Sequence, residues 1–123
     1  MILKLILFSL LLHCVDDFVL QAAFLGKGKQ RQWWREQTKG NNFYKNDYIV
    51  CLIIHGLEWS LFTFLPILIL EESSWFLWGM IAANTVIHAY VDNLKANKEK
   101  INLVTDQIIH ISQILLTYFV WSL

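Results

Sequence analysis

Residues 75–95, WFLWGMIAANTVIHAYVDNLK, are the stretch on which the fold turns. The segment is apolar or small except at Asn84, His88, Asp92 and Lys95, plus Thr85 and Asn93. The first three of that polar series are four residues apart and Lys95 follows three later, so on a helix they form one narrow stripe. About 20 such residues also make a rod of about 30 Å, the thickness of a bilayer's hydrocarbon core. A rod of this kind hides its stripe against partner helices and gives its remaining surface to an apolar solvent.

Three more stretches read the same way. We expect spans over 2–25, 48–70, 75–95 and 103–123, hence an all-α chain folded as an integral-membrane four-helix bundle in a single domain. Composition agrees: 56% of the 123 residues are hydrophobic and 15% aromatic, more than a soluble domain of this length can bury. Pro66, near the end of the second span, is tolerable in a membrane helix. Ser73 and Ser74 can cap the third. A signal peptide is the competing reading of the first span, but Asp16 and Asp17 interrupt its apolar run and no clean small-residue cleavage site follows. The two cysteines, Cys14 and Cys51, sit in apolar runs and read as small apolar fillers, with neither a disulfide framework nor a zinc ribbon in view.

Charge sets the expected orientation. The ten basic and ten acidic residues cancel overall but are unevenly spread. The 26–47 loop holds Lys27, Lys29, Arg31, Arg35, Lys39 and Lys45 against Glu36 and Asp47, whereas the turn after the second span offers only Glu71 and Glu72. By the positive-inside rule the basic loops are cytoplasmic and both termini lie outside, with Trp75, Trp78 and Trp121 at the outer interface. Trp33-Trp34 between Arg31 and Arg35 suits a segment lying against anionic lipid headgroups over 27–45; a solvated loop that only sets topology is the plain alternative. Nucleic acid is not an expected partner, because one short basic stretch is a weak signal for it.

The histidines point to chemistry. Each span carries one, with a carboxylate one helical turn away: His13 with Asp17, His55 with Glu58, His88 with Asp92, and Asp106 with His110. Gln21 extends the first stripe, and Gln113 and Thr117 extend the last, while Asp16 falls off the main face. Counted from the cytoplasmic ends at about 1.5 Å per residue, Asp17 lies about 12 Å deep, His55 and Glu58 about 10 to 15 Å, and the other two pairs about 5 to 10 Å. They share one layer. Ionisable groups at such depth are costly and are kept for a function or a mutual pairing. An N/O set of this kind suits a divalent metal, zinc ahead of manganese or iron. The expected ligands are His13, Asp17, His55, His88, Asp92, Asp106 and His110; a proton or ion pathway and a structural hydrogen-bond network are the alternatives. Either member of a His/carboxylate pair could be the ligand and the other its orienting partner.

Three ordered motifs, His13 with Asp17-Phe18 and Leu20-Gln21, His88 with Asp92 and Lys95, and Asp106-Gln107 with His110, resemble a family of small bacterial and phage membrane proteins, the domain of unknown function 3307. The resemblance spans nearly the whole chain and implies a multi-pass protein of the bacterial inner membrane; it brings no activity. The leading expectation for function is a metal-dependent hydrolase of an amphiphilic ester or phosphoester. One or two ions would activate water, with Asp17 and Glu58 as acid-base groups and Lys95 steadying developing negative charge, the plain alternative for Lys95 being that it snorkels to the inner headgroups. Cation or proton transport and a non-enzymatic envelope protein of phage or host are the other classes. Transport is disfavoured by outer halves, such as 62–70 and 115–123, that are almost wholly apolar. The bilayer is the expected partner, and a second copy of the chain is compatible with four short spans that do not readily enclose a site.

Overall fold

The computed structural model describes residues 1–21, 23–70 and 74–123. Glu71, Glu72 and Ser73, read above as the acidic turn and a cap, lie outside the described residues, as does Ala22. Among the described residues seven α-helices follow one another: α1 Ile2–Val15, α2 Ala23–Gly28, α3 Arg31–Gln37, α4 Asp47–Thr63, α5 Leu65–Leu70, α6 Trp75–Ala96 and α7 Leu103–Trp121. A π-helical turn, Asp16–Leu20, prolongs α1, a 3-10 turn covers Asn42–Tyr44, and no strand occurs among the described residues. Local sequence explains the starts: the Ser74 hydroxyl accepts from Leu77 N at 3.1 Å and the Asn102 side chain from Thr105 N at 2.9 Å. Both caps satisfy an amide that a helix N-terminus leaves unpaired.

Two expected spans are not continuous α-helices. Over 2–25 the α-helix stops at Val15, and the chain widens into the π turn, with Gln21 N bonded to Asp16 O at 3.0 Å. The extra residue in that turn rotates the following side chains relative to an α-helical register. Over 48–70 the helix breaks at Phe64, because Pro66 has no amide hydrogen and its ring crowds the preceding turn. The 26–47 stretch, read as a loop, contains α3 and the end of α2. Among the described residues only Leu103–Trp121 is long and apolar enough to cross a membrane by length and composition alone. The α1 and α4 helices are cut short at 14 and 17 residues, and α6 has 22 but carries the polar stripe.

Side-chain pairings place the long helices. His13 meets Trp59 and Asp17 meets His55, so α1 with its π turn runs antiparallel to α4. Ser60 meets Thr85 and His55 meets Asp92, so α4 is antiparallel to α6. Asn84 meets Thr117 and Lys95 meets Asp106 across α6 and α7, while Ser9 and Leu5 meet Tyr118 across α1 and α7. The two termini are therefore at one end. At that end Trp59, Phe64, Ile67, Leu77, Ile81, Ile114 and Tyr118 form the apolar core. Toward the other end the interior turns polar, and the outer surface does the reverse: Leu7, Leu11, Ile53, Leu57, Val86, Ile87, Ile108, Leu115, Leu116 and Phe119 are all exposed.

Gly56 is what lets α4 and α6 approach. A Cβ there would sit 2.6 Å from the carbonyl oxygen of Thr85 and 3.4 Å from Ala89. The next-door His55 is thereby brought to His88. Gly56→Ala is expected to lower stability by about 1–3 kcal/mol through forced separation of the two helices. Gly79, with nothing within 4 Å of its notional Cβ, should tolerate alanine with no loss. Thermal unfolding of the two variants beside the wild type checks the contrast.

Candidate metal centre

Below the apolar core the interior is built in layers. First come hydroxyls and amides: Thr85 bonds Ser60, and Gln113 Nε2 donates to Asn84 Oδ1 at 2.8 Å. Next is a stack of flat rings, with Trp59 on His88 at a 4.2 Å centroid distance and His88 on His110 at 4.0 Å, the planes inclined by 20° and 26°. His55 leans on His88 at 5.1 Å. Beyond the rings lie the carboxylates, and beyond those two lysines close the layer. His88, Asp106 and His110 are wholly enclosed, and Asp92 is 2% exposed.

Asp92 is the hub. Its Oδ2 takes the Lys29 ammonium at 2.5 Å and faces the Nε2 atoms of His55 at 3.6 Å and His88 at 3.9 Å. Its Oδ1 faces His110 Nε2 at 3.5 Å and Lys95 Nζ at 3.8 Å. Lys95 reaches on to Asp106 Oδ2 at 2.6 Å, and Asp106 Oδ1 lies 3.3 Å from His110 Nε2. Asp17 Oδ1 is 3.8 Å from His55 Nε2, while its Oδ2 accepts from Gln107 Nε2 at 3.0 Å. Two groups of side chains can each present ligand atoms within 4.8 Å of one another: Asp17, His55 and His88, and His88, Asp92 and His110. His88 belongs to both.

The remaining expected residues stand around these groups. The indole N–H of Trp59 donates to His13 Nδ1 at 2.8 Å, so that nitrogen carries no proton and only Nε2 of His13 is left over. His13 sits beside the cluster, 5.9 Å from the His110 ring, and in neither ligand group. Asp106 pairs with Lys95 and His110. Glu58 is half-buried and, among the described residues, makes no hydrogen bond or ion pair; it lies within electrostatic range of Asp16.

Sequence reasoning missed three participants. Asp16, placed off the main face in the sequence reading, is 1% exposed with both oxygens unpartnered, and continues the α1 face that buries Ser9, Leu12 and His13. The doubled aspartate in an apolar run was the available signal. Lys29 read as one of six loop cations, yet it is 6% exposed and bonded to Asp92. Its backbone is clamped to the end of α6: Asn97 donates to the Lys29 carbonyl at 2.8 Å and accepts from Arg31 N at 2.6 Å. Nothing local marks it out. Trp59, fully enclosed, is four residues from His55, and that spacing puts the two on one face of α4.

The interior is thus chemically unbalanced. Asp16, Asp17, Asp92 and Asp106 outnumber Lys29 and Lys95, and both nitrogens of His88 and His110 lack hydrogen-bond partners. Buried polar atoms are normally paired, so such a concentration at one place has to be explained by a ligand, water or an exchangeable proton.

A family model described as "Protein of unknown function (DUF3307)" matches residues 5–123. No curated protein and no solved structure matches the chain.

Lys29→Met should destabilise the fold by about 3 kcal/mol, since it leaves a buried carboxylate without its nearest countercharge. Lys27→Met, which removes an exposed ammonium two residues earlier, should change stability little. Equal melting temperatures for the two variants would contradict this placement of Lys29.

Proposed function

The chain belongs to the DUF3307 family of unknown function, and we propose that it is a multi-pass membrane helical bundle whose interior holds one or two divalent metal ions for hydrolysis of an amphiphilic ester or phosphoester. The observation that carries the metal is the spacing of the buried N and O atoms. The contacts of His110 with Asp106 and Asp92, and of His55 with Asp92, are 3.3, 3.5 and 3.6 Å, and none qualifies as a hydrogen bond. Ligand atoms each about 2.1 Å from a tetrahedral ion stand roughly 3.4 Å apart. Charge is compatible with the metal: the four carboxylates of Asp16, Asp17, Asp92 and Asp106 exceed the ammonium groups of Lys29 and Lys95 by two, an excess that either a divalent cation or protons on the cluster would offset.

Asp17, His55, His88, Asp92 and His110 are the residues that would hold the metal, and imidazole with carboxylate fits zinc first, then manganese or iron. When bound, the ion supplies Lewis acidity toward an ester or phosphoester oxygen. The chain's own residues do the rest. Asp106 Oδ1 faces the same His110 Nε2 that faces Asp92, so Asp106 would stand beside the ion as a further ligand oxygen. Lys95, on the open side of the layer with 30% of its side chain exposed, is the ammonium best placed to meet an anionic substrate group. Asp16, with both oxygens unpartnered next to Asp17, is a further acid-base candidate beside Asp17 and Glu58.

The membrane reading rests on polarity being turned outside in. Charged and hydrogen-bonding groups fill the interior while leucine, isoleucine, valine and phenylalanine cover the outside of α1, α4, α6 and α7. Water penalises such a surface, and lipid does not. Continued by the π turn and by α5, the two interrupted helices extend to about the length of a bilayer span. With the basic α3 end in the cytoplasm, both termini and exposed Trp75 fall at the outer interface.

Metal analysis of detergent-purified, untagged protein tests the proposal. Stoichiometric zinc, manganese or iron is expected in the wild type and should fall at least about tenfold in a folded His88→Ala/Asp92→Asn variant, since loss of ligands or of their supporting partners costs 10–100-fold in affinity. A wild type that stays metal-free after reconstitution with each ion sinks the metal and the hydrolase together. Metal binding without turnover of any lipid ester or phosphoester would retain the site and reject the hydrolase.

A further inference from the structure

Residues 31–45 form a second concave site, apart from the His/Asp cluster. Helix α3 ends at Gln37, the chain reverses through Lys39 and Gly40 at φ 51 and 75°, and the Asn42–Tyr44 turn folds back against the helix. The reversal is closed by Gly40 N donating to Arg35 O at 2.8 Å. Left-handed backbone at two successive residues is what a glycine in second place permits. Between the helix and the returning chain is a cavity of about 290 Å³, lined by Arg31, Trp34, Arg35, Asn41, Tyr44 and Lys45 among others.

Its walls are fixed. Trp34 Nε1 donates to the Gly28 carbonyl at 2.8 Å, and the Trp34 and Tyr44 rings face each other nearly parallel, 10° apart in plane and 6.5 Å between centres. The helix itself is held to α6 through Asn97 and Arg31 N. Arg31 and Arg35 are four residues apart and share a face, and Lys45 joins them from the returning strand of chain. None of these three cations makes an ion pair among the described residues. The nearest carboxylate in sequence, Glu36, is taken by Gln32 Nε2 at 2.7 Å. Glu99 lines a different cavity, to which Arg31 and Arg35 also contribute. The 290 Å³ cavity therefore gathers three positive charges and no negative one in its lining.

Like charges that line one cavity repel one another, and an anionic phosphate seated among them relieves all three. Two guanidinium groups with an ammonium beside them match the oxygens of a phosphate, which arginine grips in a bidentate fork. The volume is larger than a phosphate needs and leaves room for the group esterified to it, against Trp34 and Tyr44.

We propose that the cavity bounded by α3 and the 39–45 turn is a binding site for a phosphate ester, gripped by Arg31 and Arg35 with Lys45 beside them. The ligand's source is either an anionic lipid headgroup or a soluble phosphate compound, and the assignment does not depend on a metal in the His/Asp cluster.

The test uses the full chain, delipidated in detergent, and native mass spectrometry with three probes: dioleoyl phosphatidylglycerol, dioleoyl phosphatidylcholine and inorganic phosphate. Arg31→Gln/Arg35→Gln is compared with Lys98→Gln/Lys100→Gln, which removes the same charge from exposed positions outside the cavity. We expect phosphatidylglycerol to bind the wild type and the lysine variant at least about tenfold more tightly than phosphatidylcholine does, and the arginine variant to lose that margin. Phosphatidylglycerol binding assigns a lipid headgroup; binding of inorganic phosphate with none of the lipid assigns a soluble ligand. Both need Arg31 and Arg35. No preference between the two lipids together with no phosphate binding, or undiminished binding by the arginine variant, would overturn the site.

Discussion

Asp92 has to be compensated before anything else in this molecule can be stable. It is a carboxylate at 2% exposure, in an interior whose far end is Trp59, Ile81, Ile114 and Tyr118. Desolvating a carboxylate costs several kcal/mol even after relaxation, so its surroundings are organised around it. Lys29 comes from the segment after α2, Lys95 from the same helix, His55 from α4 and His110 from α7. One side chain thereby ties together four parts of the chain that are far apart in sequence. The clamp of Asn97 on Lys29 and Arg31 is part of the same arrangement, because it holds the backbone from which the lysine reaches inward.

Neutrality around Asp92 is not reached within the cluster by the lysines alone. Asp16, Asp17 and Asp106 add three more carboxylates, and His88 stacks on Trp59 and His110 without either imidazole pairing off through a short hydrogen bond. A purely structural polar network would satisfy its members, as Asn84, Gln113 and Thr117 largely do one turn away. The contrast between those two adjacent layers is the reason for reading one as scaffold and the other as a place for an ion. The Gly56 contact matters to the second layer, since His55 and His88 meet only where α4 and α6 run close.

Much of this was legible in the sequence. Hydrophobic runs with a polar stripe at helical spacing mark α6 and α7 almost to the residue, with Ser74 capping α6 as expected. The one-turn spacing of His13 with Asp17, His88 with Asp92 and Asp106 with His110 foretells that they share a face, whereas His55 meets Asp17 and Asp92 and not Glu58. The period was also the weakness of the reading. Drawing the first stripe through His13, Asp17 and Gln21 puts Asp16 off the main face and at most beside a neighbouring helix, and reading 26–47 as a loop gives Lys29 to the surface.

What the sequence determined by itself, then, is helicity, the polar stripes and the asymmetry of charge between the two ends: these follow from local periodicity and composition. What only the tertiary structure decided is which groups face which. The approach at Gly56 and the return of Lys29 to Asp92 depend on contacts between residues up to 63 positions apart. No local pattern encodes those, because their energy comes from burial and charge compensation that exist only once the helices are packed.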